Sequence, residues 1–158
     1  MRLECGATLG DTAAMRETVR TALVARPPAV LYDLVVDVER YPAFVPGVSA
    51  AAVLERTGNE QLASLTVQRG PLRTAFTTRN HLVPGQSVDM QLVEGPFKVL
   101  QGHWSFTPVA SNGCRIEFRV RFQFSNPLKS ALFEPLFEDT VAALVRAFVA
   151  RAQGSNLP

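Results

Sequence analysis

The polar side chains that could do chemistry in this 158-residue chain are few and scattered. Its two histidines, His81 and His103, lack the HxxH or HExxH spacing of a zinc site. Neither a GxSxG nucleophile motif nor a glycine-rich phosphate loop is present. Thr78 and Asn80 would project to the same side of a strand, where a hydroxyl and an amide suit hydrogen bonding to a ligand better than proton transfer. The pattern favours binding over catalysis, and we assign no catalytic residue.

Composition and cysteine usage narrow the class of protein. A chain of this length that is 47% hydrophobic fits one globular domain with a sizeable core. Cys5 and Cys114 form no CxxC pair, which argues against a disulfide framework and a structural zinc site. A net charge of +2 is too small to imply nucleic-acid binding by itself, and we expect no DNA partner.

The distribution of apolar residues predicts where the protein resides and how its domain is bounded. The sequence has no apolar run of eighteen residues, and residues 1–14 lack the apolar region of a secretory signal. We therefore expect a cytoplasmic protein. We expect residues 1–14 to be a disordered leader, with Met15 an alternative start, residues 15–153 to form one domain, and residues 154–158 to be a tail.

A long C-terminal helix over residues 127–153 is the first element that must position these groups. Asn126 supplies an N-cap before Pro127, and Gly154 a C′ stop. Pro135 predicts a kink, and the alternative is a separate short helix that ends before it. Large apolar side chains recur at three- and four-residue steps along one face: Leu132, Leu136, Phe137, Val141, Leu144, Val145 and Phe148. That face requires a broad apolar surface to receive it.

The rest of the chain predicts that surface. A first strand over 17–26 precedes a short helix over 28–36 and a helical turn over 37–42, which Pro42 should end. Six strands follow at 48–55, 61–69, 72–83, 87–93, 97–107 and 114–124, separated by turns rich in glycine and proline. Because such short turns leave no room for crossover helices, we expect an antiparallel meander with one apolar face. The fold class is α+β, a curved sheet around the terminal helix.

Several motifs, in order, resemble a known family. They are LYDLVVDVERYPAFVP at 31–46, FTTRN at 76–80, VEGPFKVLQGHWSF at 93–106 and CRIEF at 114–118. Over about residues 18–152 the chain resembles the polyketide-cyclase/START-like (SRPBCC) proteins, in the branch of coenzyme Q-binding proteins and the ribosome-association toxin RatA. The resemblance implies the helix-grip (START/Bet v 1-like) fold, in which a seven-stranded antiparallel sheet grips the C-terminal helix around a lipid- or polyketide-sized cavity.

The resemblance implies three activities, and the motifs do not decide between them. We favour non-catalytic binding of ubiquinone or a related polyprenyl lipid, as a carrier or chaperone for respiration, with no cofactor required and with peripheral contact at the inner membrane. The first alternative is a toxin that binds the large ribosomal subunit and blocks subunit joining. The second is a polyketide aromatase/cyclase, which needs polar groups deep in the cavity, where Thr78 and Asn80 are the only candidates.

Three surfaces carry these hypotheses. Residues of the inner sheet face and the helix would line a cavity for an isoprenoid or acyl tail, unless they form an ordinary solid core: Leu65, Val67, Phe76, Thr78, Asn80, Met90, Leu92, Leu100, Trp104, Phe106, Phe118, Val120, Phe122, Phe137, Leu144 and Phe148. An exposed apolar loop would act as a lid that dips into a membrane, or else pack on the sheet edge: Tyr41, Pro42, Phe44, Val45 and Pro46. An outer basic strip, interrupted by Glu117, would contact ribosomal RNA or anionic lipid, or be merely solvated: Arg79, Arg115, Arg119 and Arg121.

Overall fold

The computed structural model describes residues 15–154 and contains seven strands and three α-helices in that range. The elements are β1 (Arg16–Val24), α1 (Pro28–Val36), a 3₁₀ turn (Val38–Arg40), α2 (Tyr41–Phe44), β2 (Val48–Thr57), β3 (Glu60–Arg69), β4 (Leu72–Val83), β5 (Ser87–Glu94), β6 (Phe97–Val109), β7 (Gly113–Phe124) and α3 (Pro127–Gly154). Every predicted strand and both longer helices are present, with bounds within two residues. The predicted leader, with Cys5, and the predicted tail beyond Gly154 lie outside the described residues.

All seven strands belong to one antiparallel sheet, in the order β1-β7-β6-β5-β4-β3-β2. Strands β2 to β7 follow one another as hairpins, which is the predicted meander. Strand β1 pairs with β7 from Arg16 opposite Phe122 to Val24 opposite Cys114. Helix α3 packs against β1, β7 and α1 on the concave side, so the curved sheet around a long C-terminal helix is confirmed.

Helix α3 is continuous across Pro135, so the alternative of a separate short helix is wrong. Its start is capped as predicted, because the Asn126 Oδ1 accepts a hydrogen bond from the Lys129 backbone N–H at 2.9 Å. The predicted apolar face is buried from Leu136 onward, but Leu132 is exposed. Phe133, rather than Leu132, turns inward and meets the Phe124 ring. No helix formed by residues 15–154 is long and apolar enough to cross a membrane.

Pro42 does not end the helical turn that precedes it, contrary to the prediction. It occupies the first turn of α2, where a missing backbone N–H costs nothing because that group has no partner within the helix. The chain continues helically until the Val45 N–H donates to the Tyr41 carbonyl at 2.8 Å.

Two ion pairs hold α3 from opposite sides of the sheet. Arg16 on edge strand β1 reaches Glu138 at 2.9 Å, and Arg69 at the end of β3 reaches Asp139 at 2.6 Å. The paired side chains are partly exposed, so each pair contributes only about 0–1 kcal/mol.

Candidate functional site

The β6–β7 half of the concave face is filled by aromatic rings. Trp104 stacks on Phe118 with ring centroids 4.0 Å apart, and Phe148 of α3 meets Trp104 at 5.4 Å. The rings of Phe122 on β7 and Phe137 on α3 are also in contact, with centroids 4.6 Å apart. These five residues are buried, so this half behaves as a packed core that anchors α3.

The β2–β5 half of the same face is apolar but less covered. The strand register places Ala51 beside Leu65 and Thr78 beside Leu92, so inward-facing side chains on four neighbouring strands form one surface. Five apolar side chains there are only half-buried, and we call them the concave patch: Ala51, Val53, Leu65, Met90 and Leu92. Half-buried apolar residues on the inside of a curved sheet form a surface that a hydrophobic ligand can cover.

Two glycines shape the edge of this patch. A Cβ at Gly102 would lie 3.1 Å from a Phe118 ring carbon and 3.2 Å from the Met90 sulfur, so the missing side chain lets Met90 pack beside Phe118. Gly95 adopts a φ of +153°, and a Cβ there would lie 2.7 Å from the Phe76 Cβ. The chain can therefore turn closely over Phe76 only with glycine at this position.

A buried chain of hydrogen bonds lies beside the patch. The Thr78 hydroxyl donates to the Asn80 Oδ1 at 2.7 Å, and the Asn80 amide donates to the Gln61 Oε1 at 2.9 Å. The Gln61 amide then donates to the Val36 carbonyl at the end of α1, at 3.0 Å. We call Thr78, Asn80 and Gln61 the polar chain; it ties β3 and β4 to α1.

The polar chain contains one residue that is not among the predicted site residues. This is Gln61, although its alternation with Ala63, Leu65 and Val67 places it on the inner face. Thr78 and Asn80 lie on the predicted face and are buried, but in this structure they hydrogen-bond within the polar chain. Their role as donors to a ligand carbonyl stays a prediction.

The predicted cavity-lining residues all lie on the inner sheet face or on the buried side of α3. The structure divides them into the packed aromatic half and the patch half. Leu65, Met90 and Leu92 are half-buried, and the other thirteen are buried: Val67, Phe76, Thr78, Asn80, Leu100, Trp104, Phe106, Phe118, Val120, Phe122, Phe137, Leu144 and Phe148. Contact of these residues with a ligand stays a prediction.

The loop predicted to be an exposed lid is partly internal. Tyr41 and Val45 are buried, so the prediction of exposure is wrong for both. The cause is the helical path of residues 38–44, which turns the Tyr41 ring onto Phe148 and lets its hydroxyl donate to the Val35 carbonyl. Burial raises the pKa of the Tyr41 phenol.

The rest of that loop is more accessible. Pro42 and Pro46 are exposed, as predicted, and Phe44 is half-buried. The Arg151 guanidinium of α3 lies over the Phe44 ring, 4.9 Å from its centroid, and the ring also meets Phe148. Phe44 is thus held against α3, and a role in opening a cavity stays a prediction.

The outer face of the sheet carries the four predicted arginines, all exposed, but it is not a continuous basic strip. Arg119 lies 3.6 Å from Glu17 and 3.4 Å from Glu117, and Arg79 lies 3.9 Å from Glu60. The register also places two neutral side chains between Arg79 and Arg121, those of Gln91 on β5 and Gln101 on β6. The exposure of the four arginines and the interruption by Glu117 are as predicted, and contact of these arginines with RNA or anionic lipid stays a prediction. Within residues 15–154, Arg115 and Arg121 form no ion pair.

The remaining titratable candidates offer no convergent site. His103 Nδ1 lies 2.6 Å from an Asp89 oxygen on the outer face, and His81 lies 3.9 Å from Glu60. In the described part of the chain no three histidine, cysteine or acidic side chains come together as a metal site would need. Cys114 is buried, and this burial raises the pKa of its thiol.

Comparison with known proteins identifies the family of this chain and relatives with different named activities. The family described as polyketide cyclase/dehydrase and lipid transport matches residues 24–149. The ribosome association toxin RatA of Escherichia coli K12 is 42% identical over 139 residues, 88% of each chain. The mitochondrial coenzyme Q-binding protein COQ10 of Drosophila melanogaster is 31% identical over 132 residues, 81% of this chain and 54% of that protein. The Zhui aromatase/cyclase of Streptomyces has a similar structure, with a TM-score of 0.79 over 89% of this chain and 95% of that one; its 18% identity supports the fold alone.

Proposed function

Because this chain belongs to the polyketide cyclase/dehydrase and lipid transport family, in the branch that includes RatA and COQ10 proteins, we propose that it binds a hydrophobic small molecule, ubiquinone or a related polyprenyl lipid. The observation that carries the proposal is the concave patch, five half-buried apolar side chains on neighbouring strands. The protein acts as a carrier or chaperone for that lipid, and it needs no further cofactor.

The patch provides a driving force for binding a tail. Each CH₂ group removed from water contributes about 0.8 kcal/mol, so a tail segment that buries five carbons gains about 4 kcal/mol. Part of that gain offsets the ordering of the ligand. The packed aromatic half supplies rigidity, because Trp104 and Phe118 hold β6 and β7 in place beside Met90. An isoprenoid chain therefore lies along the patch over Leu65 and Leu92.

The polar chain supplies the matching site for a headgroup. Thr78 is the register partner of Leu92, and Asn80 is the partner of Met90, so both polar groups adjoin the patch. A quinone carbonyl would accept a hydrogen bond from Asn80 or Thr78 in exchange for one within the polar chain. These neutral groups orient a ligand without transferring protons, which supports binding rather than the cyclase alternative.

The proposal is tested by filling the patch. Leu65→Trp should place an indole over the patch and reduce the affinity for a short-chain ubiquinone at least tenfold in calorimetric titration. Leu54→Trp is the matched control, because Leu54 is exposed on β2 outside the patch, and it should bind as the parent does. Equal affinity of the two variants would place the ligand elsewhere.

Ribosome association is the second candidate, and the 42% identity to RatA over 88% of both chains favours it. Arg115 and Arg121, two outer-face cations without an ion pair among residues 15–154, are those through which this chain would contact RNA. Binding to the large ribosomal subunit would then fall steeply with salt, because cations released from RNA drive it. Co-sedimentation of Arg115→Glu/Arg121→Glu with ribosomal subunits tests this candidate, with the parent chain at low and high salt for comparison. Retained binding by the variant would exclude the outer face.

A further inference from the structure

Three connections lie at one end of the sheet, and two of them are in contact. The Ser125 N–H between β7 and α3 donates to the Pro96 carbonyl in the β5–β6 turn at 2.9 Å, and Phe97 stacks on Phe124 with centroids 4.5 Å apart. The β3–β4 turn lies at the same end, because the strands alternate in direction. We call residues 69–73, 93–98 and 125–132 the turn end.

The turn end exposes large apolar side chains. Leu128 is 70% exposed and Leu132 44%, and they lie one helical turn apart on α3. Val93, at the end of β5, is 50% exposed. Leu128 and Leu132 form an exposed apolar pair on α3, and Val93 adds a third exposed apolar side chain at the same end of the sheet; exposed apolar groups of this kind indicate a surface that contacts something other than water.

Cations accompany these apolar groups. The chain has only two lysines, Lys98 and Lys129, and both belong to the turn end, as does Arg73. Among residues 15–154 none of the three forms an ion pair. Lysine stems can lie along apolar surface while the ammonium groups reach outward, which suits a boundary between an apolar and an anionic layer.

We propose that the turn end docks on an anionic phospholipid bilayer, with Leu128 and Leu132 among the acyl chains and the lysines at the lipid phosphates. The inference rests on the proposed function, because a polyprenyl lipid resides in a bilayer. It also fits the patch, since Leu92 lies two residues before Glu94 and its side chain lies 3.5 Å from where a Gly95 Cβ would be. The contact belongs here rather than at residues 41–46, where Tyr41 and Val45 are buried.

Vesicle flotation tests the docking. The parent chain should float with vesicles of phosphatidylcholine mixed with phosphatidylglycerol, and less with phosphatidylcholine alone. Leu128→Ser/Leu132→Ser should reduce the bound fraction for both vesicle types, and because both side chains are exposed the variant should keep its fold. Lys98→Glu/Lys129→Glu should lower affinity for the mixed vesicles by more than about 20-fold, since each lysine near such a surface contributes about fivefold.

Matched control variants test whether vesicle binding depends on the turn end itself or only on the number of exposed apolar and charged side chains. Leu23→Ser/Leu54→Ser removes exposed apolar groups elsewhere, and Arg115→Glu/Arg121→Glu reverses two unpaired charges on the outer face. Both controls should float as the parent does. Loss of flotation in either control, or parental flotation of both turn-end variants, would overturn the proposal.

A second readout keeps the docking separate from ligand binding. Titration of the short-chain ubiquinone without vesicles should give the same affinity for the parent and both turn-end variants. Vesicle binding without ubiquinone binding would sink the proposed function and leave the docking in place. Ubiquinone binding without vesicle binding would overturn the docking and leave the proposed function in place.

Discussion

Removal of the buried Asn80 side chain should lower the free energy of unfolding far more than removal of an exposed amide would. Asn80→Ala leaves the Gln61 Oε1 without its donor and the Thr78 hydroxyl without its acceptor, and all three side chains are buried. A buried polar group left unpaired costs about 1–3 kcal/mol, so two of them cost about 2–6 kcal/mol. We expect the free energy of unfolding to fall by about 3 kcal/mol.

The assay is urea unfolding followed by the fluorescence of Trp104, the chain's one tryptophan. Gln91→Ala is the matched control, because it removes an exposed amide from the outward side of β5 and should cost less than about 0.5 kcal/mol. In a double-mutant cycle, Gln61→Ala should cost less once Asn80 is absent, with a coupling of about 1–2 kcal/mol. A loss below about 1 kcal/mol for Asn80→Ala, or full additivity, would refute the reasoning.

Three further predictions concern single buried positions. Burial holds the Tyr41 pKa above its ordinary 10.0, so above about pH 10 only the unfolded chain ionises at this residue. The stability that the neutral phenol contributes is therefore complete below about pH 10, and above that pH the free energy of unfolding falls by up to about 1.4 kcal/mol per pH unit. Tyr41→Phe should flatten that slope in alkaline unfolding. Cys114 should react with a thiol reagent only as fast as the fold opens, and a rate independent of urea concentration would contradict its burial. Gly102→Ala should cost about 1–3 kcal/mol in urea unfolding, because its methyl group meets Phe118 and Met90; an unchanged midpoint would show that these neighbours move freely.

The elements could be predicted where local signals mark their ends. Strand β4 (Leu72–Val83) has the predicted bounds because Gly70-Pro71 and Pro84-Gly85 flank it, and helix α1 (Pro28–Val36) begins as predicted after Pro27. The inner face could also be predicted, since alternation along β7 puts every second residue in the core. These features depend on residues that are close in sequence.

Features that depend on distant partners could not be predicted. Gln61 finds its partners at Asn80 and Val36, and no local pattern encodes those contacts. The prolines at 42 and 46 indicate a surface loop, yet Tyr41 turns inward to Phe148, which lies more than a hundred residues later. The division of the inner face into a packed half and the concave patch depends in the same way on where α3 lies.

The most direct test of the central claim is native mass spectrometry, with solvent extraction, of the chain purified without detergent from a bacterium that makes ubiquinone. We expect a bound species with the mass of a polyprenyl quinone. Leu92→Trp, which fills the concave patch, should lose this species, and Leu54→Trp should retain it. A parent chain that carries no lipid and takes up no added ubiquinone, or a Leu92→Trp variant that carries as much as the parent, would contradict the account.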